Sequence, residues 1–192
     1  MNLFVLDKDP TLAAQAHYDR HVGKMLLEAC QIMSTAQWEL DDGSFGNFNN
    51  IYLPTHENHP CARWVRECTG NYLWALELAY ALAEEYRLRF DKQHGSAETL
   101  LYLDAVPRRL DRSPRRSFAV AVTGSTPVTE PHSHDIVGYN YELKGFGADD
   151  DGIVAMYRHY YETRKAHLRE YTNRVAPIWL PLGDGSKVEY KA

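Results

Sequence analysis

The stretch NYLWALELAYALAEEYRLRF, residues 71–90, decides the fold class of this chain. Its apolar side chains recur at three- and four-residue steps and cover two faces: Tyr72, Leu76, Ala79, Leu82, Ala83 and Tyr86 on one, and Trp74, Leu78 and Ala81 on the other. A helix that is apolar nearly all round lies in the middle of a bundle. The sequence therefore predicts a mainly α-helical protein, an irregular bundle of four to five helices with at most one small strand pair.

Helical patterns continue on both sides of this stretch. Residues 11–39 carry an apolar face at helical spacing. Asp9 and Pro10 before them are residues typical of an N-cap and of a first helical position. The other predicted elements are a helix opened by His59 and Pro60, a short helix over 96–103, a last helix over 153–171, a short strand or extended segment at 3–6, and a short strand at 117–122.

One domain accounts for the length of 192 residues. Residues 1–182 are predicted to form this domain, and residues 183–192 are predicted to be a disordered tail. Residues 124–152 are rich in Gly, Pro, Ser and Asp, so a long loop is expected there. Loops of this length in a compact domain are usually functional or mobile.

Charge and cysteine content restrict the function classes. The net charge is −5, whereas a protein that coats nucleic acid without sequence preference is usually basic. Nucleic-acid contact would therefore need a local patch or a small substrate. Three cysteines without a C-x-x-C pair argue against a disulfide framework and a cysteine-ligated zinc site. No apolar run is long enough to span a membrane, so we expect no membrane partner and a cytoplasmic location.

A stripe of reactive side chains follows the first long helical pattern. Two interpretations fit it. The first is a solvated helix face held by i, i+4 pairs such as Lys24 with Glu28. The second is a site with Lys24 as a nucleophilic amine, Glu28 as a general acid or base, and His21 as a proton carrier or phosphate ligand. The stripe consists of His17, His21, Lys24, Glu28 and Gln31.

The spacing of His17 and His21 also allows a metal pair, because two His at i, i+4 on a helix are able to share one ion. His132, His134 and Asp135 in the predicted long loop would add ligands. This alternative predicts a metal-dependent hydrolase. The site formed by His21, Lys24 and Glu28 needs no metal and no other cofactor.

Arginines are concentrated in one short segment. Five of them lie within nine residues, and a guanidinium binds two phosphate oxygens at once, so the segment is a candidate phosphate or nucleic-acid contact. A solvated patch that includes Asp111 is the alternative. His59 and Arg63 stand at a predicted helix start, which is also an anion-binding geometry. The five arginines are Arg108, Arg109, Arg112, Arg115 and Arg116.

Four stretches resemble a family of small phage-borne proteins, some of which are labelled pyrimidine-dimer DNA glycosylase. They are MNLFVLDKDP (1–10), AAQAHYDRHVGKMLLEACQIMSTA (13–36), NHPCARWVRECTGNYLWALELAYALAEEY (58–86) and YRHYYETRKAHLREYTNRVAPIWL (157–180). The likeness covers most of the chain outside about 104–152. Its distinctive residues are Asp19, His21, Lys24, Met25, Glu28, His59, Pro60, Trp64, Arg66, Tyr157, Tyr160, Tyr161, Lys165, Thr172, Arg174, Pro177 and Trp179.

The resemblance implies an enzyme of glycosylase or lyase type that acts on DNA bases or nucleotides. Related small helical glycosylases attack the sugar with an N-terminal amine beside a helix carboxylate. Met1 precedes the large residue Asn2 in this chain, so a small N-terminal nucleophile is not expected and Lys24 is the candidate amine. Glu28 or Asp19 would then act as the acid or base.

The remaining implied roles concern substrate contacts. His21 and His59 would polarise the substrate, and the arginines would bind phosphate. A base taken out of the stack needs an aromatic or apolar pocket. The residues expected to line it are Trp64, Tyr157, Tyr161 and Trp179. The alternative of another class is a non-catalytic phage accessory protein that binds a nucleotide or a host protein.

Overall fold

The computed structural model describes residues 1–41, 48–131 and 135–180. These residues form six α-helices, a three-stranded antiparallel sheet and two short 3-10 helices, Phe48–Asn50 and Ala166–Leu168. The mainly α-helical class is confirmed, but the sheet exceeds the single strand pair that was expected. The elements are α1 (Pro10–Ala16), α2 (Asp19–Leu40), α3 (Pro60–Val65), α4 (Thr69–Phe90), α5 (Ala97–Leu103), β1 (Thr126–Thr129), β2 (Ile136–Tyr141), β3 (Lys144–Gly147) and α6 (Asp150–Arg164). The predicted tail, 183–192, lies outside the described residues.

Helix α4 is the centre of the helical part of the fold. It packs against α1, α2, α3 and α5. Its apolar surface is not covered all round, because Leu73, Tyr80 and Leu88 remain exposed. The core continues from α4 through the apolar face of α2 to the buried side of α6. Burial of these shared faces, rather than helix propensity alone, stabilises the bundle.

The helix predicted over residues 11–39 is broken in two. His17 and Tyr18 have extended backbones that separate α1 from α2. The guanidinium of Arg89, on α4, compensates the carbonyl groups left free at the end of α1. It donates to the carbonyl of His17 at 2.7 Å and to that of Gln15 at 2.9 Å. The expected starts are confirmed, since Asp9 caps α1 by accepting from the Leu12 N–H at 2.9 Å and Pro10 follows at the first position.

The prediction of a long loop over residues 124–152 is wrong for most of this range, because three strands and the start of α6 lie within it. The sheet has the order β1-β2-β3, and α6 begins at Asp150. Strand β3 packs against α6. Four of the six residues of β2 are only partly buried or exposed, and β1 and β3 have no buried residue. Such strands lack the apolar alternation from which a half-buried strand is predicted.

Two segments without regular secondary structure pack against the helices. Neither residues 3–6 nor residues 117–122 belong to the sheet, so the short strand expected at 117–122 is not formed. Their backbone groups are satisfied by side chains. The Tyr157 hydroxyl accepts from the Ala121 N–H and donates to the Ala119 carbonyl, each at 3.0 Å. Residues 3–6 are buried, and the Phe4 ring lies between His21 on α2 and Tyr160 on α6.

Candidate functional site

Glu28, on α2, is the centre of the candidate site. Its carboxylate accepts a hydrogen bond from the Asn2 backbone N–H at 2.6 Å. Two amines lie at its edge: Lys24 Nζ at 3.9 Å and the α-amine of Met1 at 4.0 Å. The Glu28 side chain is only 14% exposed, whereas that of Lys24 is 62% exposed. These distances exceed that of a hydrogen bond, so proton exchange with either amine would pass through one water or a small movement of the side chain.

The first residues of the chain are held firmly against this carboxylate. Asn2 is buried; its side-chain amide donates to the Ala121 carbonyl at 3.0 Å, and its Oδ1 accepts from the Phe4 N–H at 2.9 Å. Phe4 has a φ of 40°, a left-handed conformation that is uncommon for a bulky residue. Backbone strain of this kind persists only where the surroundings enforce it, and it clusters at functional sites.

His59 lies near enough to the Met1 amine for the charge of that amine to act on its imidazole. It is half-buried, caps α3, and accepts from the Cys61 N–H through Nδ1 at 3.2 Å. That bond places the proton of the neutral ring on Nε2. Burial lowers the pKa of His59, and the charges of the Met1 amine and His56 lower it further. We call Glu28, Lys24, the Met1 amine and His59 the Glu28 site.

His21 lies one helical turn before Lys24 but is buried. Its Nδ1 hydrogen-bonds the Tyr161 hydroxyl, and its ring stacks on Phe4 with centroids 5.1 Å apart. Burial lowers the pKa of His21 to about 4, and the charges of Lys165, Lys24 and His167 act in the same direction. The imidazole is therefore neutral near pH 7, and its contacts with Phe4 position the segment that approaches Glu28.

His17 and Asp19 bind structural partners instead of joining the Glu28 site. His17 is fully buried and donates through Nδ1 to the Ala13 carbonyl at 2.7 Å. Asp19 accepts from the Thr172 hydroxyl at 2.8 Å and pairs with Arg89 at 3.1 Å, so it anchors the C-terminal segment. No group of three or more His, Cys, Asp or Glu suited to a metal occurs in the described ranges. His132 and His134 lie outside those ranges.

The arginine segment is partly neutralised by carboxylates. Arg115 pairs with Asp150 at 2.5 Å and lies over the Phe118 ring, so it fastens the segment to the start of α6. Arg116 pairs with Asp111 at 3.2 Å. These two guanidinium groups are therefore engaged within the protein. The exposed arginines among the predicted anion contacts are Arg63, Arg108, Arg109, Arg112 and Arg116.

Three of the four aromatic residues assigned to a base pocket lie in the core. Trp64 is buried and donates to the Ser117 carbonyl at 2.8 Å, while Tyr157 and Tyr161 are fully buried. Their packing leaves no open face for a base. Trp179 is half-buried and stacks on Arg158 at the wall of a cavity of about 510 Å³. That cavity lies between β3, α6 and residues 7–8, and Glu28 does not line it.

The comparisons with known proteins add nothing to this geometry, since no family model, no curated protein and no solved structure matches the chain. Within the described part of the chain, no helix has both the length and the apolar character needed to cross a membrane.

Proposed function

We propose that this protein is an enzyme of glycosylase or lyase type that acts on DNA bases or nucleotides, with Glu28 as its general acid or base. One observation carries the proposal: a carboxylate that is 14% exposed lies within 4.0 Å of two primary amines. This is the combination that imine chemistry at a sugar carbon requires, because an amine must lose a proton before it attacks and a nearby base must receive that proton.

The chemistry at an abasic deoxyribose balances with these groups alone. The unprotonated amine adds to the C1′ aldehyde, its two protons pass in turn through Glu28 to the C1′ oxygen, and water leaves as the C=N bond forms. Loss of a C2′ proton to the carboxylate then expels the 3′ phosphate by β-elimination. With an intact nucleotide, the same amine displaces the base from C1′, and the base departs with a proton. His59, whose neutral ring carries its proton on Nε2, would donate a hydrogen bond to the leaving group.

Two amines compete for the role of nucleophile. Lys24 Nζ is mostly exposed and is reached by any substrate that approaches α2. The Met1 amine is held in place because the Asn2 backbone is bonded to Glu28 and the Asn2 side chain to Ala121. A fixed geometry favours attack, since it removes the entropy of positioning. Each amine therefore has one advantage, and covalent trapping is needed to identify the one that attacks.

Borohydride trapping on duplex DNA with a single abasic site tests the proposal. The hydride reduces the C=N bond, so the wild-type protein is expected to form a covalent adduct, and peptide mapping by mass spectrometry identifies Met1 or Lys24 as the point of attachment. Glu28→Gln keeps the size of the side chain but removes the base, and trapping is expected to slow by about 10²-fold or more. Glu39→Gln, at an exposed position of the same helix, is the matched control and is expected to trap like the wild type.

Two results would overturn the proposal. The first is a wild-type protein that binds the DNA but forms no adduct, which would favour the non-catalytic accessory protein. The second is a Glu28→Gln variant that traps as fast as the wild type. A Lys24→Ala variant with undiminished trapping would instead assign the attack to the other amine.

A further inference from the structure

The turn between β2 and β3 carries an unusual residue at its tip. Tyr141 pairs with Lys144, so Glu142 and Leu143 alone form the loop, with φ of 50° and 67°. Positive φ at both central residues defines a type I′ hairpin turn, in which Asn and Gly are strongly preferred. Glu and Leu are unfavourable there because their side chains crowd the left-handed backbone.

Within the part of the chain that the structure describes, nothing compensates for the unfavourable backbone at Leu143. The side chain is fully exposed, so it gains no stabilisation from packing. A left-handed backbone and an exposed apolar side chain are both unfavourable, and here they coincide at one residue. Strain that does not contribute to folding points to a function for the residue.

The tip is held rigidly on the body of the protein. Glu142 pairs with Arg164, at the end of α6, at 2.7 Å. The same Arg164 Nε lies 3.3 Å from the Tyr141 hydroxyl, and the buried Tyr141 ring contacts Tyr160 with centroids 5.8 Å apart. Leu143 is thus presented to solvent on a fixed support.

Three cationic side chains lie around the tip. Lys144 follows Leu143 directly, while Arg164 and Lys165 stand at the end of the supporting helix. Glu142 pairs with Arg164, and Glu162 lines the same cavity as Lys144. An apolar point framed by positive charge is complementary to a partner that has phosphates outside and an apolar stack inside, which is the chemistry of duplex DNA.

Ring contacts connect this hairpin with the helix that carries Glu28. Tyr160 stacks on Phe4 with centroids 6.0 Å apart, and Phe4 stacks on His21 of α2 at 5.1 Å. The hairpin and α2 are therefore parts of one packed unit. A DNA duplex engaged by one is held in a fixed orientation toward the other.

We propose that Leu143 is a wedge that enters the base stack of duplex DNA and opens the step beside the nucleotide on which the Glu28 site acts. The proposal rests on the proposed function, since it assigns duplex DNA as the substrate of that site. Enzymes that act on a base inside a duplex must unstack it, and apolar side chains inserted between bases produce such unstacking.

The test uses the full chain and a duplex with 2-aminopurine, whose fluorescence rises on unstacking, next to an abasic site. Leu143→Gly removes the wedge and suits the turn, so its melting temperature is expected to equal or exceed that of the wild type. Without the wedge, its contacts no longer offset the free-energy cost of unstacking. The fluorescence rise and the rate of trapping on the duplex are therefore both expected to fall by about tenfold. Trapping on single-stranded abasic DNA, which needs no unstacking, is expected to stay unchanged.

Leu143→Asn, also suited to the turn, is expected to repeat the result, and Leu101→Ala, at an exposed position of α5, is expected to behave like the wild type. Wild-type fluorescence and duplex trapping in Leu143→Gly would overturn the wedge, as would an equal loss on single strands. Self-association of the wild type that disappears in Leu143→Gly would overturn it in favour of an interface between copies. A fluorescence rise that depends on Leu143, without any covalent trapping, would support the wedge and overturn the proposed function.

Discussion

At the scale of the residue, two buried histidines make the stability of the protein depend on pH. Burial lowers the pKa of His17 to about 3 and that of His21 to about 4, from 6.5. The unfolded chain therefore takes up protons below pH 6.5 that the folded chain does not bind, and stability is lost as the pH falls. Each histidine is expected to remove about 2 kcal/mol between pH 7 and pH 5.

Urea unfolding at both pH values, in wild type and in His21→Gln, checks this expectation. The wild type is expected to lose about 4 kcal/mol from these two groups, and the variant about 2 kcal/mol, because only His17 still titrates between the two states. His167→Gln is the control, since His167 is exposed and hydrated in both states. An equal loss in wild type and His21→Gln would contradict the assignment of the pH dependence to His21.

Some residues of the candidate site are positioned by local spacing that the sequence shows, and others by contacts between distant parts of the chain. The pairing of Lys24 with Glu28 follows from i, i+4 spacing, and it is confirmed at 3.9 Å. The approach of Asn2 to Glu28 spans 26 positions and depends on tertiary packing, so no local pattern indicates it. His17 departs from the expected stripe because Arg89, 72 positions later, binds the end of α1.

At the scale of the element, one glycine fixes where α4 meets the arginine segment. A Cβ on Gly70 would lie 2.0 Å from the Arg115 backbone nitrogen and 2.5 Å from the Pro114 carbonyl carbon. The Gly70 N–H also donates to the Ser113 carbonyl at 3.1 Å. The close approach of the two backbones is therefore possible only without a side chain at this position.

Gly70→Ala is expected to destabilise the protein by roughly 2–3 kcal/mol, since the backbone contact has to separate to admit the methyl group. Gly95→Ala is the matched control, because a Cβ there has no neighbour within 4 Å and the expected change is below about 0.5 kcal/mol. Chemical denaturation of the two variants gives the comparison. Equal stabilities would mean that residues 113–115 move aside without loss.

Elements differ in how well the sequence predicts them, and burial explains the difference. The starts of α1 and α3 follow from Asp9-Pro10 and His59-Pro60, because capping is a local interaction. The sheet over 126–147 is not signalled, since its short strands are mostly exposed and show no apolar alternation. Residues 117–122 remain outside the sheet because side chains, rather than a neighbouring strand, bind their backbone.

At the scale of the whole molecule, a buried ionic cluster joins the C-terminal segment to the bundle. Arg89, 1% exposed, bonds Glu85 on its own helix and Asp19 at the start of α2. Arg174 reaches the same Glu85 from the C-terminal segment. The Thr172 N–H donates to Asp19 at 2.9 Å. Three distant parts of the chain therefore share one set of buried charges.

Arg89→Met removes the cation at the centre of this cluster while keeping its apolar length. Glu85 and Asp19 would remain buried with less compensation, and the carbonyls of Gln15 and His17 would lose their donor, so a loss of roughly 3–5 kcal/mol is expected. Arg87→Met, which breaks only the exposed pair with Glu84, is expected to leave the stability close to that of the wild type. Denaturation measures both values. Limited proteolysis supplies a second observation, since the weakened cluster should release residues 169–180 and expose them to cleavage in Arg89→Met alone. If the two variants were equally stable and equally resistant, the cluster would not be what holds the C-terminal segment against α2 and α4.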